Sequence, residues 1–262
     1  MHTYRPGESV RGTLQLIAKS DLHPRSIMLH AFGDEITSLG PNIAMKAHTH
    51  PFDLAFQLWA PSIEQNALSK GEHAFPFDFS LPTILPPTFN GDLTKIAYRI
   101  EVKVDLPLVP DLHVEQAFTV LVAPITGAEK PVRATASLPG GLTLELQLKA
   151  VAYSPGDHIT GNVQIIGTME SIKAASVDLL WREKGEAHDF VDHSEGTNVR
   201  LEIDPKVLLS GQPFSIDIPV PLDADPSFVS QHASMTRLVR AEVKLAGDKS
   251  LLAETMIRIG AK

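Results

Sequence analysis

One phrase of fourteen residues occurs twice in this chain, and it constrains the fold more than any other feature. The phrase YRPGESVRGTLQLI begins at Tyr4, and its near copy YSPGDHITGNVQII begins at Tyr153. Two further phrases repeat in the same order: KGEHAFPFDFSLP from Lys70 is echoed by SGQPFSIDIPVP from Ser210, and RIEVKV returns as RAEVKL. Repetition in the same order across both halves predicts two copies of one domain.

The repeated phrases alternate apolar and polar residues with a period of two, which is the pattern of a strand with one buried face. The alternating apolar residues include Val10, Leu14 and Leu16, then Phe75, Phe77 and Phe79, and in the second half Leu142, Leu144, Leu146 and Leu148. Turn signals such as RPGE, LPPTFNGD, LPGG and SPGD separate these runs, and no segment keeps helical spacing for three turns. The sequence therefore predicts an all-β protein of two tandem immunoglobulin-like antiparallel β-sandwiches.

The repeat also sets the expected domain boundaries. We expect one sandwich over residues 1–126, a linker over residues 127–134 and a second sandwich over residues 135–262. In the second copy the strand-like run LTLELQL precedes Tyr153, and the corresponding position in the first copy falls before Met1. We therefore expect the N-terminal sandwich to lack its first strand or strands. A gene product begun at the wrong start is the alternative reading of the same observation.

Composition excludes several classes of function. The net charge is −8 and no run of Lys or Arg occurs, so no binding of nucleic acid is expected. The absence of cysteine excludes disulfides, thiolate catalysis and cysteine-based metal sites. The chain shows neither a signal peptide nor an apolar run of membrane-spanning length, and a cytoplasmic location is the expectation.

The acidic and glycine-rich motifs do not predict catalysis. No G-x-S-x-G phrase and no phosphate-binding glycine loop occurs, so we expect neither an enzyme nor a cofactor. The acidic pair Asp34 and Glu35 follows Gly33 in what we interpret as a turn, and Asp223 and Asp225 lie in the phrase PLDADPSF. We interpret all four as solvated turn carboxylates.

A pair of histidines raises the question of a metal site. His48 and His50 are two residues apart, so on a strand they would point to one face and could bind a metal if a carboxylate or a third imidazole joined them. No third ligand appears at a fixed spacing, so we interpret them as polar loop residues and predict no metal. Four aromatic residues are interpreted as sandwich core: Phe75, Phe77, Phe79 and Trp181.

The motifs in this order resemble a known family. The Tyr-x-Pro-Gly-acidic phrase, then GEHAFPFDFSLP, LPPTFNG and IAYRIEVKV, resembles the N-terminal domain of the arrestin superfamily, and the second half is similar to an arrestin C-terminal domain. Among its members the chain is most similar to minimal or α-arrestin-like proteins without a C-terminal tail. The resemblance implies a cytoplasmic, non-enzymatic adaptor that binds cytosolic tails of membrane receptors or transporters, or trafficking machinery. It also implies peripheral association with the endosomal or plasma membrane.

Two departures from the family pattern bear on regulation. The N-terminal region that carries a phosphate-contacting lysine pair in phosphate-sensing arrestins has no counterpart here. A Pro-Pro-x-Tyr motif is also absent, because Pro86 and Pro87 are followed by Thr88 and Phe89. An alternative to the adaptor is a rigid assembly subunit of a retromer-like or sporulation-control-like complex, as in other relatives of this fold.

The expected binding sites follow from the missing strand and from two loops. Without its neighbour, the strand over residues 10–17 would present an open edge to extended peptides, and its expected peptide-binding residues are Val10, Gly12, Leu14 and Leu16. The phrases SLGPNIAMKAHTH and SFVSQHASMTRLV are interpreted as longer loops. Their expected partner-contact residues are Met45, His48 and Met235.

Overall fold

The computed structural model describes residues 2–40, 45–122, 130–167 and 171–260, and strands dominate these ranges. The elements are β1 (His2–Tyr4), β2 (Ser9–Ala18), β3 (Ser26–Leu39), β4 (Met45–Trp59), β5 (Gly71–Ser80), β6 (Phe89–Asn90), β7 (Thr94–Asp105), β8 (Leu112–Val120), β9 (Val132–Ser137), β10 (Thr143–Leu148), β11 (Ala152–Tyr153), β12 (His158–Ile166), β13 (Ile172–Ala187), β14 (Phe190–Ile203), α1 (Pro205–Leu209), β15 (Phe214–Pro219), β16 (Phe228–Val229), β17 (Ala233–Leu245), a 3₁₀ turn (Ala246–Asp248) and β18 (Ser250–Ile259).

The chain divides into two compact units, each of which has two sheets. The first comprises Met1–Val122 with the short segments Glu186–Phe190 and Ser230–His232, and the second comprises the remainder. The predicted all-β fold of two antiparallel sandwiches is confirmed. The exact domain boundaries stay a prediction: residues 127–129 of the expected linker lie outside the described residues, and its last three residues already belong to β9.

The first unit pairs a large sheet with a small one. The large sheet has the order β1-β8-β7-β3-β4, with β6 on β7, and the small sheet consists of β2 and β5. In the small sheet Val10 lies opposite Phe79. The Phe79 ring stacks on Phe52 of β4 at a centroid distance of 6.0 Å and meets Phe56 at 6.2 Å. These contacts between the two sheets are the expected result of period-two alternation on both.

The second unit has a more completely covered core. Its four-stranded sheet has the order β15-β12-β10-β9, and its six-stranded sheet has the order β11-β18-β17-β13-β14, with β16 on β17. Leu144, Leu146 and Leu148 of β10 are fully buried in one cluster with Val177 and Val239. Complete burial of each such side chain contributes about 1.5–3 kcal/mol.

The repeated Pro-Gly phrase forms the same turn in both units. Gly7 has φ 84°, in the left-handed region that favours glycine, and Gly156 has the same φ. In the first turn the Glu8 backbone N donates to the Arg5 carbonyl at 3.0 Å, and the Glu8 carboxylate accepts from the Arg5 backbone N at 2.7 Å. Asp157 makes the corresponding two bonds in the second turn. A shared turn therefore accounts for the repeated phrase.

The sequence did not predict α1, the five-residue helix between β14 and β15. Asp204 caps it, since its side chain accepts a hydrogen bond from the Lys206 backbone N at 2.9 Å, and Pro205 occupies the first turn. A helix this short cannot show apolar periodicity over three turns, so only the Asp-Pro start signal was available.

Candidate functional site

Strand β2 forms an open edge in the described part of the first unit. Within the described residues it pairs with β5 along its whole length and with no other strand. A strand paired on one side leaves alternate N–H and C=O groups of its other side without a ladder partner. Such an edge of ten residues is long enough to accept a further strand.

Apolar side chains lie beside this edge on the inner face of the small sheet. Leu14 lies opposite Phe75 and Gly12 lies opposite Phe77, and Leu16 continues the row. We call Leu14, Leu16, Phe75 and Phe77 the edge row, and all four are partly exposed to solvent. The edge row therefore offers apolar area next to unpaired backbone.

The second unit shows what covers the same position there. Gly161 of β12 lies opposite Ile216 as Gly12 lies opposite Phe77, so β12 and β15 correspond to β2 and β5. Strand β10 pairs with the other side of β12, and β9 pairs with β10. Val163 and Ile165 on β12 are consequently buried. The described part of the first unit has no counterpart of β9 and β10.

The predicted peptide-binding residues all lie on β2, but their environments differ. Val10 is only 2% exposed, so its side chain belongs to the core. Gly12 lies beneath the Phe77 ring, where an added Cβ would be 2.3 Å from a ring atom. Leu14 and Leu16 belong to the edge row. The peptide-binding role of the four residues stays a prediction, with Leu14 and Leu16 as its exposed part.

The loop placement predicted for the partner-contact residues is wrong in part, and their partner-contact role stays a prediction. Met45 and His48 lie in β4, which begins at Met45, and residues 41–44 of the expected loop lie outside the described residues. Met235 lies in β17 and is 3% exposed, because it pairs with Phe228 of β16 and faces inward. Of the three, His48 has a well-exposed side chain on a strand.

The aromatic residues are core only where two sheets cover them. Phe79 is buried, as predicted, whereas Phe75, Phe77 and Trp181 are partly exposed. Phe75 and Phe77 are partly exposed because the small sheet has two strands in the part of the chain that the structure describes. The Trp181 indole lies over Gly196 of β14, where an added Cβ would be 2.5 Å from its ring nitrogen.

The acidic pair Asp34 and Glu35 does not lie in a solvated turn, so that prediction is wrong. Both residues are inside β3, with exposures of 8% and 1%. Gly33, which suggested the turn, is instead required by the Tyr98 ring, because a Cβ on Gly33 would be 2.5 Å from it. A glycine at a close approach and a glycine at a turn look alike in sequence.

Asp34 binds two histidines and an arginine. Its Oδ1 lies 2.9 Å from His48 Nε2 and 3.1 Å from His50 Nδ1, and its Oδ2 accepts from the Arg99 guanidinium. His50 Nδ1 also lies 3.1 Å from the Gly33 carbonyl O. Because both neighbours of that nitrogen are acceptors, His50 Nδ1 carries a hydrogen. We call Asp34, His48 and His50 the Asp34 cluster.

A β-bulge brings the cluster together. Gly33 pairs with Phe52 and Glu35 pairs with Thr49, so β4 has one extra residue in this interval. Pro51 lies there and has no N–H to give to a ladder. The two histidines point to one face, as their spacing predicted for a strand, and the neighbouring strand supplies the carboxylate that the sequence did not reveal.

Arg99 completes the surroundings of Asp34 from a third strand. Its guanidinium carbon lies 4.5 Å from the centre of the Phe32 ring, and the Phe32 ring also meets His50 edge-on at 6.0 Å. Phe32 pairs with Arg99 across β3 and β7. Sequence reasoning missed Arg99 because only the strand register, in which Asp34 pairs with Ala97, makes residues 34 and 99 diagonal neighbours.

Glu35 is buried and bonded within the first unit. Its Oε1 accepts from Ser230 Oγ at 2.8 Å and from the His232 backbone N at 2.9 Å. Burial raises the pKa of Tyr98, and the Glu35 charge raises it further. The Tyr98 hydroxyl donates to the Pro86 carbonyl at 2.7 Å, so it remains protonated and structural.

The second acidic pair does lie in a turn region, as predicted. Asp223 and Asp225 are exposed between β15 and β16. The Asp225 carbonyl O accepts from Arg237 Nη2 at 2.8 Å, and Arg237 Nη1 donates to Asn198 Oδ1 at 2.6 Å. Burial lowers the pKa of Arg237. The hydrogen bonds of Arg237 therefore connect the turn to Asn198 of β14.

One group of side chains is arranged so that it could hold a metal ion. Across the described ranges, the Asp34 cluster is the one set of three His, Cys, Asp or Glu residues whose ligand atoms come together. The helices in the same ranges include none long and apolar enough to span a membrane.

Comparison with known proteins identifies the family of the first unit. Residues 1–125 match the family described as arrestin (or S-antigen), N-terminal domain. Arrestin domain-containing protein 1 of Mus musculus is 31% identical over 107 residues, which cover 40% of this chain and 23% of that protein. Arrestin domain-containing protein 17 of Caenorhabditis elegans is 25% identical over 149 residues, which cover 52% and 35%. Arrestin domain-containing protein 4 of Homo sapiens is 26% identical over 181 residues, which cover 60% and 43%.

The two-sheet units together with these matches define an arrestin-like protein. Within that class the chain is similar to the arrestin domain-containing proteins, which confirms the resemblance to α-arrestin-like proteins read from its motifs. The matched segments span less than half the length of each of these three relatives.

Proposed function

We propose that this protein is a non-enzymatic adaptor that binds extended segments of partner proteins, specifically cytosolic tails of membrane proteins, by strand addition to β2. Membership of an arrestin-like adaptor family supports protein binding in general. The observation that carries the finer proposal is the open edge of β2 beside the partly exposed edge row. A cytoplasmic site of action is part of the proposal.

The second unit provides a template for the bound state. Strand β10 lies antiparallel to β12 and buries three leucines at alternate positions, Leu144, Leu146 and Leu148. A partner segment on β2 would in the same way extend the backbone ladder and lay apolar side chains over Leu14 and Leu16. Affinity would come largely from the ladder, and selectivity would come from the residues at alternate positions.

A peptide copied from β10 tests this proposal. The probe is the nine-residue peptide GLTLELQLK, residues 141–149, added to the full chain. Its matched control has the same sequence with alternate backbone amides N-methylated, which keeps the side chains and removes the ladder donors. We expect the unmodified peptide to raise the melting temperature and to slow hydrogen exchange over residues 9–18, and the control to do neither.

Two results would contradict strand addition. One is unchanged hydrogen exchange over residues 9–18 at saturating peptide. The other is equal protection by the N-methylated control, because that would show side-chain adhesion without a ladder. A stable oligomer in light scattering, combined with either result, would favour the assembly-subunit alternative.

A further inference from the structure

We propose that the Asp34 cluster is a binding site for a divalent transition-metal ion, with Zn²⁺ as the representative ion. Its three ligand atoms are Asp34 Oδ1, His48 Nε2 and His50 Nδ1, and all lie within 4.8 Å of one another. The sequence predicted no metal because it showed two imidazoles and no third ligand. The structure supplies the third ligand from the neighbouring strand, so the condition set by the sequence is met.

The donor set suits this class of ion. A set of two imidazole nitrogens and one carboxylate oxygen suits Zn²⁺ and the neighbouring first-row transition metals. Mg²⁺ and Ca²⁺ instead prefer sites made of oxygen ligands. In a tetrahedral zinc site the ligand atoms lie about 3.4 Å apart, as follows from metal–ligand distances of about 2.0–2.1 Å. Asp34 Oδ1 is already 2.9 Å and 3.1 Å from the two nitrogens. The two nitrogens lie within 4.8 Å of each other, so the imidazole side chains must rotate toward a common point to reach a binding geometry, and water can fill the fourth position.

The surroundings hold the carboxylate while leaving one of its oxygens available. Arg99 engages Asp34 Oδ2, which leaves Oδ1 to face the histidines. The Arg99 charge is itself shared, since Glu101 lies 3.4 Å and Glu115 lies 3.9 Å from its nitrogens. The carboxylates of Asp34, Glu101 and Glu115 together outnumber the single positive charge of Arg99, so the net local charge attracts a cation.

Access and proton movement also permit binding. The side chains of His48 and His50 are 52% and 43% exposed, so an ion can approach from solvent. In the present arrangement the ligand nitrogen of each histidine faces the Asp34 carboxylate and carries a hydrogen. Metal binding requires that hydrogen to leave or to move to the other ring nitrogen, and the neutral imidazole allows either tautomer.

A zinc titration of the full chain tests the site. We expect calorimetry to give one saturable Zn²⁺ per chain, and Zn²⁺ to raise the melting temperature. His48→Ala and His50→Ala should each weaken binding by about 100-fold or more, since even supporting residues of metal sites cost 10–100-fold. Both variants keep the Asp34–Arg99 pair. Co²⁺ absorption should show ligand-field bands that disappear in both.

His30→Gln is the matched control. His30 Nε2 lies 2.7 Å from Asp53 Oδ1, so it is also a histidine bonded to a carboxylate, but it has no second imidazole in a ligand set. It should leave the Zn²⁺ affinity within about twofold of the unaltered chain, well inside the 10–100-fold scale of metal-site losses. The proposal is overturned if Zn²⁺ does not saturate at one ion per chain. It is equally overturned if His48→Ala and His50→Ala bind as the unaltered chain does, or if His30→Gln loses binding to the same extent as they do.

Discussion

Gly12 and Gly161 occupy the same position in the two repeats, yet different atoms crowd them. A Cβ on Gly161 would be 2.1 Å from the Gln147 carbonyl O of β10, which is backbone. A Cβ on Gly12 would be 2.3 Å from the far end of the Phe77 ring, which is a movable side chain at the sheet edge. The close approach at both glycines was predictable from the repeat, but the identity of the neighbour was not.

This difference predicts unequal costs for the same substitution. Gly161→Ala must push β10 away from β12 and should destabilise the second unit by about 3 kcal/mol, at the upper end of overpacking costs. Gly12→Ala should cost the first unit about 1 kcal/mol or less, because the Phe77 ring can rotate outward.

The two tryptophans allow each unit to be followed separately. Trp59 lies in the first unit and Trp181 in the second, and the chain has no others. Urea unfolding would follow Gly161→Ala in a Trp59→Phe background and Gly12→Ala in a Trp181→Phe background. Equal losses in the two units would contradict the explanation based on neighbours.

Asp34 shows where residue-level reasoning failed. A Gly-Asp-Glu run resembles a turn because glycine and aspartate favour turns. Here the glycine makes room for Tyr98, and Arg99 with two histidines binds Asp34. All of those partners come from other strands, so the sequence alone carried no local signal that would place them there.

At the scale of elements, a charge network ties four strands of the second unit together. Glu195 of β14 contacts Arg182 of β13 at 2.6 Å and Arg240 of β17 at 3.2 Å, and Arg240 contacts Glu254 of β18 at 2.6 Å. Opposite charges on neighbouring strands stabilise a sheet. Period-two alternation predicted the strands, but their order and these cross-strand partners required the register.

The network predicts a specific response to acid. Partial burial alone would raise the pKa of Glu195, but the hydrogen bonds and charges of Arg182 and Arg240 outweigh it and lower the pKa below the ordinary 4.5. Because the pKa is lower in the folded state, the stabilisation is present above pH 4.5 and is lost as the pH falls through the folded-state value.

Urea midpoints at pH 6 and pH 3 would measure this response through Trp181. The unaltered chain should lose more stability between the two pH values than Glu195→Gln, since the variant has no proton to take up at this position. Glu202→Gln on the same strand serves as the control, because Glu202 is 69% exposed and only 3.9 Å from Arg200. An equal acid loss in the unaltered chain and Glu195→Gln would contradict the role given to the network.

At the scale of the whole molecule, duplication was the strongest prediction and explains most of the fold. The repeated sequence segments predicted the number of units, the turn that both units share and the equivalence of β2 with β12. The sequence could not show that Glu186–Phe190 and Ser230–His232 belong to the first unit, because such contacts join residues far apart along the chain. Nor did alternation distinguish a fully covered strand from a partly covered one, and Phe75 and Phe77 were therefore assigned to the core.

The same comparison between units gives a prediction for backbone dynamics. Strand β12 has partners on both sides, whereas β2 has β5 alone within the described residues. About half of the β2 amides should therefore exchange hydrogen rapidly in the native state, since alternate groups face the open edge, while β12 amides exchange slowly. Strands β5 and β15 are sheet edges in both units and should show similar exchange, which makes them the internal control. Slow exchange throughout β2 in the peptide-free chain would mean that another segment covers the edge, and an adaptor acting through that edge would then need to displace it first.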